Sequence, residues 1–410
     1  MERMTDLLAG KRIILGVCGS IAAYKAAELA RALTLAGAHV DVILTPAAER
    51  FVGAATFQAL TARPVLTDMW ALPEDGVVGH VSLGVHADLV VVAPASANTI
   101  ARLAAGMSDD LLTTTILATT APVLIAPAMN PQMYTNPATQ ANVHTLRERG
   151  YTVLEPAVGR MAEPMVGKGR LPEPFELEGR IRALLGRTHG SLRDRRVVVT
   201  AGGTQEPIDP VRYIGNRSSG QMGYAIAARA RDLGADVTLI SGPTSLTPPA
   251  AVTVVPVVTT LEMQAAVYAA VAQADMLVMN AAVADFRPAR AAEHKIKKQG
   301  DAGLTIELIA NPDIVGGLAD RRTVFKVGFA AETDSMLEQA QGKLERKGLD
   351  LIVANDAVSS IGQPTIALTL IDRTGTLALE RRPKTEAAAA LLDAIVPRFM
   401  RWLEARSLAE

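Results

Sequence analysis

A single cysteine, Cys18, stands among 410 residues, which excludes a disulfide framework and a cysteine-built metal site within one chain. Net charge is nearly missing too: the formal value is −1 at pH 7, which argues against nucleic acid or an acidic membrane as the main partner. Apolar runs stop at strand length, and the N-terminus, MERMTDLLAGKRIILG, has no apolar core long enough for an export signal or a membrane span. A soluble, cytoplasmic protein is expected. Aromatic residues make up only 4% of the chain, whereas Ala and Val are abundant. That balance suits buried parallel strands covered by alanine-rich helices. The chain is too long for one ordinary core, so two domains are the default.

The richest stretch is VVVTAGGTQEPIDPVRYIGNRSSGQMG, residues 197–223. Its β-branched start leads into Ala201-Gly202-Gly203-Thr204, a turn that only small residues make tightly. A polar loop with Arg212, Asn216 and Arg217 follows, then Ser218-Ser219-Gly220 and an apolar stripe at Met222, Ile226, Ala230 and Leu233 with helical spacing. A strand, a glycine turn, a cationic loop and a serine-capped helix start form an anion site, because free amide N–H groups at a helix end attract phosphate. A glycine pair alone reads as a surface loop. The order of elements, with Arg and Asn between them, favours phosphate handling.

The first half starts on the same plan. Lys11-Arg12 lead into IILGV, then Cys18-Gly19-Ser20, a helix with Ala22, Ala26, Leu29 and Leu33 on one face, Gly37, and the strand VDVILT. Between the halves, GRTHGSLRDRR (186–196) is polar and reads as a linker. Further strands are expected at 88–95, 122–129 and 151–155, then near VTVVPV, DMLVMNAAV, LTIEL, VFKVGF and DLIVAN. Residues 366–380 read as a hairpin turning at Asp372–Gly375, and 384–404 as a helix. The expected fold is α/β: two doubly wound, Rossmann-like or flavodoxin-like parallel-sheet domains in tandem, 1–188 and 191–410, the second with an antiparallel hairpin. Ligands in such sheets sit beyond the carboxyl ends of the strands. There the first half places Gly19-Ser20-Ile21, Thr45, Pro94-Ala95-Ser96-Ala97-Asn98-Thr99 and Pro127-Ala128-Met129-Asn130, with Gly79-His80 in a loop before a helix or strand. Each alone reads as a turn, and a lone His more often as a structural residue.

In order and spacing, GVCGSIAAYKAAELARAL, TPAA, GHVSLG, PASANTIARLAAGMSDDLLTT and PAMNPQMY resemble the flavin-dependent cysteine decarboxylases. AGGTQEPIDPVRYIGNRSSGQMG, NAAVADF, KIKK, NPDI and VGFAAET resemble the phosphopantothenate–cysteine ligases. Fused in this order, the halves resemble the bacterial bifunctional enzymes of coenzyme A biosynthesis. The resemblance implies ligation of 4′-phosphopantothenate with cysteine through an acyl-cytidylate. An FMN-dependent decarboxylation of 4′-phosphopantothenoylcysteine then gives 4′-phosphopantetheine, with FMN oxidising the thiol side so that loss of CO₂ leaves an enethiolate.

By resemblance, Gly19, Ser20, Ile21, Thr45, Ser96, Ala97, Asn98 and Thr99 cradle FMN. His80 is the acid/base or orienting residue, and Asn130 holds the leaving carboxylate. An Arg there would bind the ground state too strongly. One departure stands out. The family carries a clamp cysteine in a pattern like LACGxxGxGRMxEP, and here residues 159–174 read GRMAEPMVGKGRLPEP. Aligned backwards from GKGRLPEP, Glu163 stands where the cysteine would be; alternatively GRMAEP is the later part of the motif and the clamp is shortened. Cys18 falls in the flavin turn and is no replacement.

For the ligase, Met279, Asn280, Ala281, Asp285, Lys295, Pro312, Asp313, Ile314, Val315, Phe329, Lys343 and Lys347 correspond by resemblance to a CTP site. Asn216 corresponds to the residue that converts the acyl intermediate, with Arg212 beside it; Gln221 stands where many relatives have Lys. CTP rather than ATP comes from the resemblance alone. Mg²⁺ follows from the triphosphate and needs no cage of protein ligands, so no metal-binding residues are assigned. The resemblance also implies a homo-oligomer, trimer-based through the decarboxylase and dimeric through the ligase. Two other readings remain: a dinucleotide-dependent flavin reductase, and a non-catalytic flavin-binding regulator. Against the first, neither turn has G-x-G-x-x-G spacing; against the second, both His80 and Asn130 are present.

Overall fold

Neighbouring parallel strands need a crossover, and the glycine-closed helices of this sequence supply it. The computed structural model describes residues 6–71, 79–162, 164–298, 303–332, 342, 344–356 and 362–408. The chain divides into two compact units, Met1–Leu185 and Gly186–Glu410.

In the first unit the apolar runs become β1 (Arg12–Val17), β2 (His39–Leu44), β3 (Val65–Leu66), β4 (Leu89–Ala95), β5 (Val123–Pro127) and β6 (Thr152–Val153). They pair in the order β3-β2-β1-β4-β5-β6, all parallel. Ile13 and Leu15 pack into one core and Ile14 into another on the opposite face, so both faces of the sheet are covered. Helix Ala23–Leu35 buries Ala26, Leu29 and Leu33 against the first of these cores, and Gly37, at φ +89°, lets the chain leave it. A hairpin that the sequence reading did not anticipate, β7 (Ala157–Arg160) with β8 (Val166–Arg170), follows β6.

The second unit repeats the plan with β9 (Arg196–Ala201), β10 (Gln205–Pro207), β11 (Tyr213–Gly215), β12 (Asp236–Ser241), β13 (Thr253–Pro256) and β14 (Met276–Met279). It continues with β15 (Phe286–Pro288), β16 (Leu308–Ala310), β17 (Phe325–Glu332), β18 (Leu351–Asp356), β19 (Thr365–Asp372) and β20 (Gly375–Pro383). The main sheet runs β13-β12-β9-β14-β17-β18-β19-β20. It is parallel through β18, and the β19–β20 hairpin extends it antiparallel, as expected. In both units the strand order reverses beside the first strand, between β1 and β4 and between β9 and β14. This is the Rossmann order, and the reversal opens a crevice at the carboxyl edge.

Three local expectations are corrected. Helix Gln221–Asp232 is capped by Gly220 at φ +76°, with no side-chain cap; Ser218 only accepts from the Gly220 N–H at 3.4 Å. Gly220 is left-handed, a conformation that favours glycine over a capping serine. The stretch 186–196 is not a loose linker. Helix Pro174–His189 runs into it, and Leu192 is fully buried, its N–H donating to Leu233 O. LTIEL does not form a strand of its own. Only Leu308–Ala310 pairs as a strand, with Phe286–Pro288, and one further bond, Ala289 N–H donating to Glu307 O at 2.9 Å, extends the ladder into LTIEL. Among the described residues no helix is long and apolar enough to cross a membrane.

Candidate active sites

At the carboxyl edge of the first sheet, β1 runs into Gly19-Ser20. A Cβ on Gly19 would lie 2.5 Å from Ala47 Cβ, so this turn and the one after β2 touch, which only glycine permits. Ser20 Oγ accepts the Ala22 N–H at 3.2 Å. Thr45, buried beside them, accepts the Ala48 N–H at 3.3 Å. Ser96 caps helix Ala97–Ala105 by accepting the Thr99 N–H at 3.3 Å, with Thr99 Oγ1 at 3.2 Å. Asn98 is exposed at that helix start, as is Ile21 after β1. Gly19, Ser20, Ile21, Thr45 and Ser96–Thr99 thus share one edge with two helix starts. Cys18 lies beneath them, fully buried; burial pushes its thiol pKa up despite hydrogen bonds from Thr99 and Ser96.

His80 sits in the first turn of helix Gly79–His86 rather than in a loop. Its Nδ1 is buried with no hydrogen-bond partner among the described residues. Asn130 caps helix Pro131–Thr135: Oδ1 accepts the Gln132 N–H at 2.9 Å and Nδ2 donates to Met165 Sδ at 3.3 Å. The β7–β8 hairpin lies on this loop. Met129 N–H donates to Gly169 O at 3.0 Å, and a Cβ on Gly169 would overlap Met129 O. The clamp-like sequence is therefore this hairpin, closed by Met161 N–H donating to Met165 O at 2.9 Å; Glu163 itself lies outside the described residues.

Glu155 ties the hairpin down, accepting from Lys168 at 2.6 Å, Arg147 at 2.6 Å and the Tyr134 hydroxyl at 3.0 Å. The Lys168 ammonium leads in holding the Glu155 carboxyl down to about 2. On the far side, Lys25 is buried and donates to Glu173 Oε1 at 2.7 Å and Leu171 O at 3.2 Å.

In the second unit the turn after β9 is laced to the loop after β14. Ala282 N–H donates to Gly202 O at 2.8 Å, Ala284 N–H to Thr204 Oγ1 at 2.9 Å, and Ala281 N–H to Thr200 Oγ1 at 3.0 Å. Asn216 joins them: its Nδ2 donates to Val283 O at 2.9 Å, and its own carbonyl would lie 2.8 Å from a Cβ on Gly203. Asn280 approaches Gly223, whose Cβ would come 3.0 Å from its Oδ1. Asn216, Asn280 and Ala281 thus meet at the switch point, and Asp285, six residues beyond β14, is exposed.

Arg212 does not face that crevice as a free cation. Its Nε donates to Asp209 Oδ2 at 3.0 Å and its Nη2 to Ile296 O at 2.9 Å, while Ile296 N–H donates to Asp209 at 3.1 Å. Arg212, with the backbone N–H groups around it, holds the Asp209 carboxyl far below the ordinary range. The pair anchors the segment bearing Lys295, which is itself exposed. Lys347 pairs with Asp313 at 3.1 Å. Although burial opposes it, the Gly316 N–H and Lys347 keep the Asp313 carboxyl below its usual value.

Met279 and Ile314 are buried core residues, Val315 and Phe329 pack partly buried against the cores, and Pro312 is half-buried. Lys343 lies outside the described residues. No group of His, Cys, Asp and Glu suited to a metal ion occurs among the described residues.

The sequence reading missed the buttress behind this crevice. Buried Glu206 accepts the Thr260 N–H at 2.9 Å and its hydroxyl at 2.7 Å, at the start of helix Thr260–Val271. Asn311 donates to Ala284 O at 2.8 Å and accepts from Arg287 at 2.9 Å. The EP in TQEP and the N in NPDI were the available signals, since a buried carboxylate at a helix start is favoured by the N-terminal dipole.

Residues 1–186 match the family model for flavoproteins. Residues 192–398 match that for the DNA/pantothenate metabolism flavoprotein C-terminal domain. The chain is 49% identical over 395 residues to the coenzyme A biosynthesis bifunctional protein CoaBC of Vibrio cholerae, covering 95% of this chain and 98% of that one. It is 49% identical over 409 residues to the protein of the same name from Mycobacterium tuberculosis, covering 94% and 96%. Among solved structures, the C-terminal domain of a CoaBC protein is 38% identical with a TM-score of 0.46, covering 52% of this chain and 100% of that one.

Proposed function

The chain belongs to the family of bifunctional coenzyme A biosynthesis enzymes, and from that premise we propose how its two units divide the work. Residues 191–410 join 4′-phosphopantothenate to cysteine at the expense of CTP with Mg²⁺, and residues 1–188 decarboxylate the product using FMN. The supporting observation is that Ser20, Ser96 and Asn130 in the first unit, and Asn280 and Asp285 in the second, follow the carboxyl ends of parallel strands near the strand-order reversal.

In the first unit the touching turns at Gly19 and Ala47 and the starts of helices Ala23–Leu35 and Ala97–Ala105 fit a flavin phosphate and ring edge. FMN bound there would supply the two-electron redox chemistry that makes the substrate's carboxylate able to leave. His80, with a buried Nδ1 that no described residue satisfies, exchanges or orients the substrate's proton. Asn130 orients the carboxylate, and the hairpin over its loop keeps water out. Glu163, in that hairpin's sequence, is the acid for the last protonation.

In the second unit, neutralising phosphate charge and positioning the acyl group carry the rate. Lys295, in the segment that Asp209 and Arg212 anchor, and the Lys347–Asp313 pair serve the triphosphate. Met279–Ala281, Asp285, Pro312–Val315, Phe329 and Lys343 complete the nucleotide site. Asn216, fixed by Val283 O, orients the acyl phosphate for attack by the cysteine amine.

The active form is a homo-oligomer of cytoplasmic enzyme, trimeric through the first unit and dimeric through the second. The exposed apolar side chains Phe286, Leu308 and Ile309 on β15 and β16 support pairing there. The test is direct. Purified protein should carry a flavin spectrum and release pyrophosphate from CTP only with 4′-phosphopantothenate; a colourless protein would sink the first assignment, and equal use of ATP the second. Native mass spectrometry reads the assembly.

A further inference from the structure

Three segments of the second unit meet behind the switch point. The turn after β9 brings Thr204 and runs into β10 with Glu206, the loop after β14 brings Ala284 and Asp285, and the end of β16 brings Asn311. They are far apart in the sequence. A chain of hydrogen bonds through Thr260, the first residue of helix Thr260–Val271, joins all three. Thr204, Glu206 and Thr260 are buried, so bulk water has no access to these bonds.

The direction of each bond follows from the first member, because a carboxylate oxygen only accepts. Glu206 Oε1 takes the Thr260 N–H at 2.9 Å and its hydroxyl hydrogen at 2.7 Å. With its one hydrogen committed, Thr260 Oγ1 can only accept from its other neighbours, Thr204 Oγ1 at 3.1 Å and Asn311 Nδ2 at 3.2 Å. Thr204 therefore donates to Thr260 and turns a lone pair to the Ala284 N–H at 2.9 Å. Asn311 is fixed in the same way. Its amide nitrogen also donates to Ala284 O at 2.8 Å, and its oxygen accepts from Arg287 at 2.9 Å. Its backbone N–H donates to Asp285 O at 2.8 Å. The carbonyls on either side of the Asp285 side chain thus both end on Asn311, which itself opens the 312–315 stretch.

We propose that Glu206 is a positioning residue of the ligase, which sets the place of Asp285 and of residues 312–315 through Thr260 and Asn311. The proposal rests on the assignment of those residues to CTP given above. Glu206 takes no part in the bond changes. It imposes one donor direction on the chain, so that Asn311 presents its N–H groups to Thr260 and to the Ala284 carbonyl. Without the carboxylate, the Thr260 hydroxyl is free to turn its hydrogen towards Asn311, and the Asn311 amide loses a fixed acceptor there. A buried amide left without its partner is costly, and the loop that it anchors is the one that carries Asp285.

The test is steady-state ligase kinetics on the full chain, reading pyrophosphate release, with Thr260→Val, Thr260→Ser and Glu206→Met beside the wild type. Thr260→Val keeps the shape and the backbone N–H but removes the hydroxyl. It should raise KM for CTP on the order of 10-fold, the worth of one hydrogen bond to a charged group. KM for 4′-phosphopantothenate and for cysteine should stay unchanged, and Thr260→Ser, which keeps the hydroxyl, should recover most of the loss. A role in stability alone would lower the amount of folded enzyme, and so kcat, without moving one KM apart from the others. Glu206→Met should raise the same KM, and combining it with Thr260→Val should add nothing beyond the larger single effect, because both act through one chain. If Glu206→Met does not fold, the two Thr260 variants decide alone. An unchanged KM for CTP in Thr260→Val, an equal rise for all three substrates, or effects that multiply in the double variant would overturn the proposal. Failure of the wild type to release pyrophosphate from CTP with 4′-phosphopantothenate would overturn the underlying ligase reading instead.

Discussion

Gly169 offers a sharp separation of the two activities. It lies in β8, where the hairpin rests on the Asn130 loop. An added Cβ would overlap the Met129 carbonyl oxygen and come 3.2 Å from Pro131 N. Both neighbours are backbone, so no rotamer change relieves the clash. Carbon–oxygen contacts begin near about 3.3 Å, so the hairpin must lift from the loop by on the order of 1 Å. That movement breaks the bond from Met129 N–H to Gly169 O, worth about 1 kcal/mol net. Overpacking of the same interface adds about 1–3 kcal/mol.

The sum, about 2–4 kcal/mol, is a local cost rather than loss of the fold. The functional effect is larger, because a displacement of about 1 Å at a positioned group typically costs about 100-fold in rate. Gly169→Ala should therefore lose CO₂ release by about that factor, while flavin content and pyrophosphate release by the same sample stay unchanged. Gly159→Ala is the matched control. Its Cβ would meet the end of the Arg170 side chain, Nη1 at 2.8 Å, which can swing aside, so its rates should stay within about two- to threefold of wild type. Decarboxylation by Gly169→Ala at the wild-type rate would refute the idea that the hairpin's seat on this loop positions Asn130.

His80→Asn should keep its flavin and its ligase activity but release no CO₂; wild-type decarboxylation would return His80 to a purely structural role. Asn216→Asp should still release pyrophosphate and accumulate the acyl-cytidylate, seen by rapid quench, whereas Lys295→Gln should stop before pyrophosphate appears; arrest of both at one step would contradict the division between them. Glu155 has its carboxyl depressed from 4.5 to about 2, so its contribution to stability is complete above the unfolded value and fades as pH falls between the two. Because the group is half exposed, that contribution is below about 1 kcal/mol. Denaturant midpoints of wild type and Glu155→Gln should differ at neutral pH and converge towards pH 2, and a gap that widens on acidification would reverse the sign of the argument.

Some of the molecule could be read without coordinates. The strand runs around Ile13, Leu89, Val197 and Met276, the glycines that end the helices, and the Asp372–Gly375 turn are local signals with local causes: side-chain period, steric freedom, turn chemistry. The position of LTIEL misled because its alternation is genuine, yet the strand it pairs with, Phe286–Pro288, is only three residues long. The serine cap misled because the helix begins instead on a left-handed Gly220, which the Ser-Ser-Gly sequence equally allows.

The candidate sites divide the same way. Residue types and their order place Ser20, Ser96, Asn130, Asn216 and Asp285 at strand ends, because a strand's carboxyl end follows from its own sequence. What Arg212 does is decided by Asp209 and by Ile296, 84 residues away, and spacing holds no trace of that pairing. Glu206 against Thr260, Lys25 against Glu173, and Lys384 beside Gln221 across 163 residues are likewise invisible in the chain. Periodicity and turn chemistry act between neighbours in sequence, so the sequence by itself determined the elements, their order and the edge where chemistry gathers. Which charges are paired depends on groups that meet only after the sheet has closed, and that was decided by tertiary structure alone.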